Sequence, residues 1–176
     1  MLYLTSSLLL VLSACASVSP NDYRNAGPEL QLDQYFNGTV DAWGMFQDRK
    51  GKVVRRFTVV LTGTWQGNQG VLEEDFVYDD GEKQRRVWTI TKGENGQYTG
   101  TAADVVGTAQ GSAAGNALNW QYTLVLPVGD KTYEVRLDDW MYLINDQVMI
   151  NRAQMSKFGF KLGEVLITFK KRQDRS

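Results

Sequence analysis

Histidine is absent from the 176 residues and cysteine occurs once. Without His there is no Ser-His-Asp triad, no Cys-His pair, no HExxH zinc site and no imidazole pH switch. A single Cys excludes an internal disulfide and a Cys-based zinc site. Neither charge sign dominates: 19 Lys and Arg stand against 20 Asp and Glu, for a net charge of −1. That balance leaves no general basic footprint for nucleic acid. Phosphate loops, dinucleotide fingerprints and calcium loops are missing as well, so the sequence implies no cofactor and no metal. What is present is 43% hydrophobic residues, with 5 Trp, 8 Tyr and 7 Phe. The length suits one domain with a sizeable core.

Residues 1–15 (MLYLTSSLLLVLSAC) carry no charged side chain. The apolar run 8–12 is too short to cross a bilayer, which takes about 20 apolar residues. It matches the apolar region of a secretory signal. Leu12-Ser13-Ala14-Cys15 resembles the lipobox of bacterial lipoproteins. That resemblance implies a signal peptide over 1–14 and acylation of Cys15, with palmitate-like chains holding the mature protein to the membrane. Each buried methylene adds about 0.8 kcal/mol of anchoring. Ala16 and Ser17 follow the Cys. The lack of Asp there resembles lipoproteins sent to the outer membrane, on its periplasmic face. The alternative is an unstructured N-terminus in which Cys15 has no role. Residues 15–35 read as a lipid-anchored linker, because 16–30 are polar and include Pro20, Gly27 and Pro28. A helical turn is expected within 29–36.

Beyond it no segment sustains helical apolar spacing. Strands are expected at 53–62, 76–78, 85–91, 97–103, 118–126, 132–138, 140–144, 147–152 and 163–170. Asp80-Gly81 is a strong hairpin signal between two of them. Residues 107–115 (GTAQGSAAG) read as a small-residue loop. Short turns cannot supply parallel crossovers, so the sheet is antiparallel. The expectation is an all-β fold, an up-and-down meander of about nine or ten strands closing into a lipocalin-like barrel over 36–171. A basic tail follows over 172–176; with Lys170 and Lys171 it reads either as a solvated end or as a membrane contact, at about 1 kcal/mol per charge.

Five stretches in order carry a resemblance: Glu74 through Gly81, Arg86-Val87-Trp88, Gly115 through Leu118, Asp138 through Tyr142, and Lys157-Phe158-Gly159. They resemble an uncharacterised family of Gram-negative lipoproteins built on a domain of unknown function, DUF3833. The resemblance spans about 36–170. It implies a role in the cell envelope or its lipids, and it carries over no catalytic residue.

Aromatic residues of the strands are the candidate ligand contacts: Trp65, Phe76, Tyr78, Trp88, Trp120, Tyr122, Trp140 and Tyr142. Lining a barrel, they would form a cavity for an acyl chain; the alternative is that they fill the core. Arg86 is a candidate for a polar headgroup. The hairpin turn places Asp75 opposite it, as a cross-strand pair inside or a rim pair outside. Asp138 and Asp139 point to opposite faces and form no dyad of their own.

Three functions follow. The first is a non-catalytic lipoprotein that binds or shields a hydrophobic ligand, with a fatty acid or phospholipid the natural candidate. The second is an adaptor that docks an envelope protein. The third is a lipid- or glycan-acting enzyme using carboxylates, which would need two acids with perturbed titration in one cleft.

Overall fold

The computed structural model describes residues 17–173. The expected signal peptide over 1–14, Cys15 and the tail beyond Gln173 lie outside these residues. Ten antiparallel strands form one closed barrel in sequence order. They are β1 (Gly38–Asp48), β2 (Val53–Gln66), β3 (Gln69–Tyr78), β4 (Lys83–Lys92), β5 (Gln97–Thr101), β6 (Ala109–Ala114), β7 (Ala117–Val128), β8 (Lys131–Leu143), β9 (Val148–Lys157) and β10 (Phe160–Lys171). Each strand pairs with the next, and β10 closes on β1 from Val40↔Lys171 to Asp48↔Gly163. Closure leaves no free edge to template aggregation.

Alternation along each strand decides what points inward. In β4, Arg86, Trp88 and Ile90 face the interior while Arg85, Val87 and Thr89 face out. In β8, Val135, Leu137, Asp139, Met141 and Leu143 face the interior. The turns close with residues suited to a left-handed backbone: Gly81 has φ +85° and Asp80 accepts the Glu82 N–H at 2.9 Å.

One end of the barrel is stoppered. Helix α1 (Leu32–Tyr35) and its flanks place Leu30, Leu32, Tyr35 and Phe36 in the main core cluster. The Leu30 N–H donates to the Gly115 carbonyl at 2.8 Å, and the Tyr35 hydroxyl donates to the Gln147 carbonyl at 2.9 Å. Phe36 meets Phe169 edge-on at 5.8 Å. Lys92 reaches Asp33 at 2.8 Å. The 15–35 segment is therefore no free linker over its described part. Leu30, Leu32 and Tyr35 are spent on the barrel end, and Tyr23 packs on the outer wall against Tyr142. Arg172, expected as part of a loose tail, grips Asp41 through two nitrogens at 2.6 and 2.7 Å.

Three strand expectations change. Residues 38–48 form β1, whose Gly38 and Gly44 dilute its strand signal. Residues 132–138 and 140–144 are one strand, because both acids between them are satisfied mid-strand: Asn119 donates to Asp138 at 2.7 Å and Asn151 donates to Asp139. Residues 109–114 are β6 and not loop. Its small residues are there to admit a ring: a Cβ on Gly111 would collide with the Trp120 indole. No helix among the described residues is long and apolar enough to cross a membrane.

Candidate functional site

The barrel is hollow. A cavity of about 1020 Å³ runs inside it from the stopper to the opposite end. Its floor includes Leu32, Phe36 and Phe169; its upper reach includes Arg55, Lys83, Val128, Lys157 and Leu162, at the hairpin ends. Two apolar clusters make most of the wall. The lower one contains Leu61, Leu72, Trp88, Ile90, Leu118 and Trp120. The upper one contains Leu124, Val135, Leu137, Ala153 and Met155. Tyr122 packs against both.

A polar belt crosses this apolar wall. It is made of Glu74 (β3), Arg86 (β4), Asp104 in the β5–β6 loop, Tyr122 (β7), Asp139 (β8) and Asn151 (β9), all of which line the cavity. Arg86 donates through Nε to Asp104 at 2.9 Å and sits 3.7 Å from Glu74. The Glu74 and Arg86 side chains are only 13% and 16% exposed, so they are shielded from bulk solvent. Asp139 and Asn151 are buried, and Asn151 Nδ2 donates to both Asp139 and the Trp140 carbonyl. One Glu74 oxygen, Oε2, is buried without a hydrogen-bond partner among the described residues.

Burial sets the titration of the belt. It pushes Glu74 up to about 7, against the opposing pull of Arg86. It pushes Asp139 up to about 7 as well, against the hydrogen bond from Asn151. Burial also holds the Tyr122 hydroxyl well above its usual range. For Arg86 burial works against the charge, but Glu74, Tyr122 and Asp104 outweigh it and keep the guanidinium protonated. Desolvation disfavours a charged carboxylate in this way wherever pairing is incomplete. No cluster of His, Cys, Asp and Glu suited to a metal occurs among the described residues.

The sequence candidates divide. Phe76, Tyr78, Arg86, Trp88, Trp120 and Tyr122 line the cavity. Trp65 does not: it packs over Gly70 beside the lower cluster. Trp140 and Tyr142 point outward, because Asp139 and Met141 take the inward positions. They stack at 5.9 Å and receive Tyr23 edge-on at 5.4 Å. The pairing of Asp75 with Arg86 is off by one residue. Asp75 faces Arg85 on the outside, at 3.2 Å, and Arg86 faces Glu74 within. Glu74, Asp104, Asp139 and Asn151 were not among the sequence candidates. The available signal was a carboxylate on the otherwise apolar face of β8.

A family model described as a protein of unknown function (DUF3833) matches residues 9–171. The chain belongs to the DUF3833 family. No curated protein matches it. Among solved structures, the S-type phycobiliprotein lyase CPES from Guillardia theta aligns with TM-score 0.60 and 8% identity, covering 82% of this chain and 92% of that one. A de novo designed fluorescence-activating β barrel aligns with TM-score 0.45 and 12% identity, covering 81% and 99%. The first likeness places this DUF3833 chain among lipocalin-like barrels in fold.

Proposed function

We propose that this protein binds a hydrophobic molecule inside its barrel and does no chemistry on it. The observation that carries the reading is the hollow interior: about 1020 Å³ with mostly apolar walls, stoppered at one end. A small barrel whose aromatics merely filled it would leave no such space. Cavities of this size with a few placed polar groups suit small amphiphiles. The ligand belongs to the lipid class, with an acyl or alkyl chain along the walls. The fold neighbour named as a phycobiliprotein lyase fits a reading in which the barrel interior is put to use.

The reading includes an anchor. Cys15 is acylated and holds the protein on the periplasmic face of the outer membrane, in service of envelope lipids. The N-terminal segment joins the barrel at its stoppered end, so such an anchor leaves the mouth free. Radiolabelled palmitate incorporation that disappears in Cys15→Ser tests the anchor. For the cavity, a titration with N-phenyl-1-naphthylamine tests the reading: saturable enhancement at one site per chain supports it, and no enhancement opposes it.

Two observations favour other readings. Glu74 and Asp139 share one cavity with raised pKa values, which suits acid–base chemistry on the bound molecule. A ligand recovered with an altered mass would favour that. Phe158 and Phe160, 89% and 77% exposed at the β9–β10 tip, would suit a docked envelope partner. Photocrosslinking from position 158 to one dominant protein would favour that.

A further inference from the structure

The polar belt has an imbalance of hydrogen-bonding capacity. Its donors are turned toward its own acids. Arg86 faces Asp104 and Glu74, and Asn151 Nδ2 is shared between Asp139 and a carbonyl. Its acceptors are in surplus: Glu74 Oε2 has no donor, and three carboxylates face one guanidinium. Resting on the reading of the cavity as a ligand site, we infer that the belt selects an amphiphile whose polar group donates hydrogen bonds, a primary amine above all, over one headed by a carboxylate or phosphate.

The electrostatics run the same way. With Glu74 and Asp139 ionised, Arg86 contributes one positive charge against three carboxylates, counting Asp104. With both protonated the belt is neutral. An ammonium placed there supplies the missing donors and offsets charge in a medium of low effective dielectric. A carboxylate placed there adds a fourth acid and satisfies none of the acceptors. An acid could instead keep its head at the mouth, near Lys83 and Lys157. Its chain would then lie across the belt and leave Glu74 Oε2 buried without a hydrogen-bond donor, which costs free energy. The groups that face Glu74 are Arg86, Asp104, Asp139, Tyr78 and Tyr122. Those that face Asp139 are Asn151, Tyr122 and Arg86, with Asp138 behind it on the outer face. Burial raises Glu74 and Asp139 to about 7, so both change charge near neutrality and the preference follows their ionisation.

The test uses the full chain in a non-ionic detergent, given an equimolar mixture of hexadecylamine and hexadecanoic acid, and read by native mass spectrometry. At about pH 8 the amine adduct should exceed the acid adduct by about tenfold or more, and at about pH 6 the ratio should fall several-fold. In Glu74→Gln/Asp139→Asn the ratio should approach one at both pH values. Acid adducts equal to or above amine adducts in the unaltered protein overturn the inference, as does a ratio unmoved by both pH and the double variant. The pH comparison needs only the unaltered chain, so a variant that fails to fold leaves the inference exposed to refutation. Absence of either adduct, with the naphthylamine probe also unbound, overturns the cavity reading and the inference with it.

Discussion

Glu74 and Arg86 occupy paired positions on β3 and β4, and their side chains meet inside the barrel at 3.7 Å. That separation is an ion-pair distance but too long for a hydrogen bond. Arg86 instead spends its short contacts on Asp104, at 2.8 and 2.9 Å. Glu74 is thereby left under-partnered in an apolar wall, and its raised pKa follows from that arrangement.

Stability should therefore depend on pH near neutrality. Glu74 and Asp139 titrate near 7 in the folded barrel and well below that when unfolded. Between those values the folded state holds more protons, so stability falls as pH rises. The gain is fully present below the unfolded pKa values and is lost as pH climbs through about 7. Each group contributes up to about 1.4 kcal/mol per pH unit in that window. Thermal melts between about pH 8 and pH 6 should show Tm rising toward acid. Glu74→Gln/Asp139→Asn should flatten the slope.

The Trp120 indole lies against Gly111 and Gly100, and an added methyl at 111 has nowhere to go. Gly111→Ala should cost about 1–3 kcal/mol through forced repacking. Chemical denaturation measures this, and the same substitution at the open Gly107 turn gives a contrasting case, where only the positive φ is strained.

Leu32 holds the stopper in place and is 2% exposed. Leu32→Ala should destabilise by about 2–5 kcal/mol, as a buried truncation does. It should also speed exchange of the amide protons of the Leu30–Phe36 segment more than those of β8, which hydrogen exchange can resolve by position.

Phe158 adopts φ +51° at an exposed turn, a conformation that favours Asn or Gly. Since its ring is 89% exposed, little burial is lost on replacement. Phe158→Asn should raise stability by about 0.5–1 kcal/mol. A fall in the denaturation midpoint would mean that the ring stabilises the fold in a way its exposure does not show.

Much of this architecture is legible in the residues. Turn chemistry such as Asp80-Gly81 and the alternation in 118–126 suffice for an antiparallel meander, because both are local. The interior is less legible, since one residue of register exchanges inside and outside. Placing Asp75 opposite Arg86 made the pair look like one ion pair; in the barrel Arg85 takes Asp75 and Arg86 goes inward to Glu74. Trp140 and Tyr142 look like cavity residues by type, yet Asp139 holds the inward position beside them. The belt itself joins five strands and a loop, distant in sequence, and only closure brings them together. The stopper escapes for a related reason: Leu30, Leu32, Tyr35 and Phe36 are too few to make a periodic signal, but they cap a ready-made opening.

The central claim is an occupied, hollow barrel. The decisive measurement is native mass spectrometry of the protein purified from a Gram-negative envelope, with organic extraction in parallel. The account predicts a noncovalent adduct of defined mass, recovered in the extract as a lipid-class molecule and reduced by filling the cavity with Ala153→Phe. A chain that keeps its unliganded mass under mild conditions, and yields an empty extract, would contradict it.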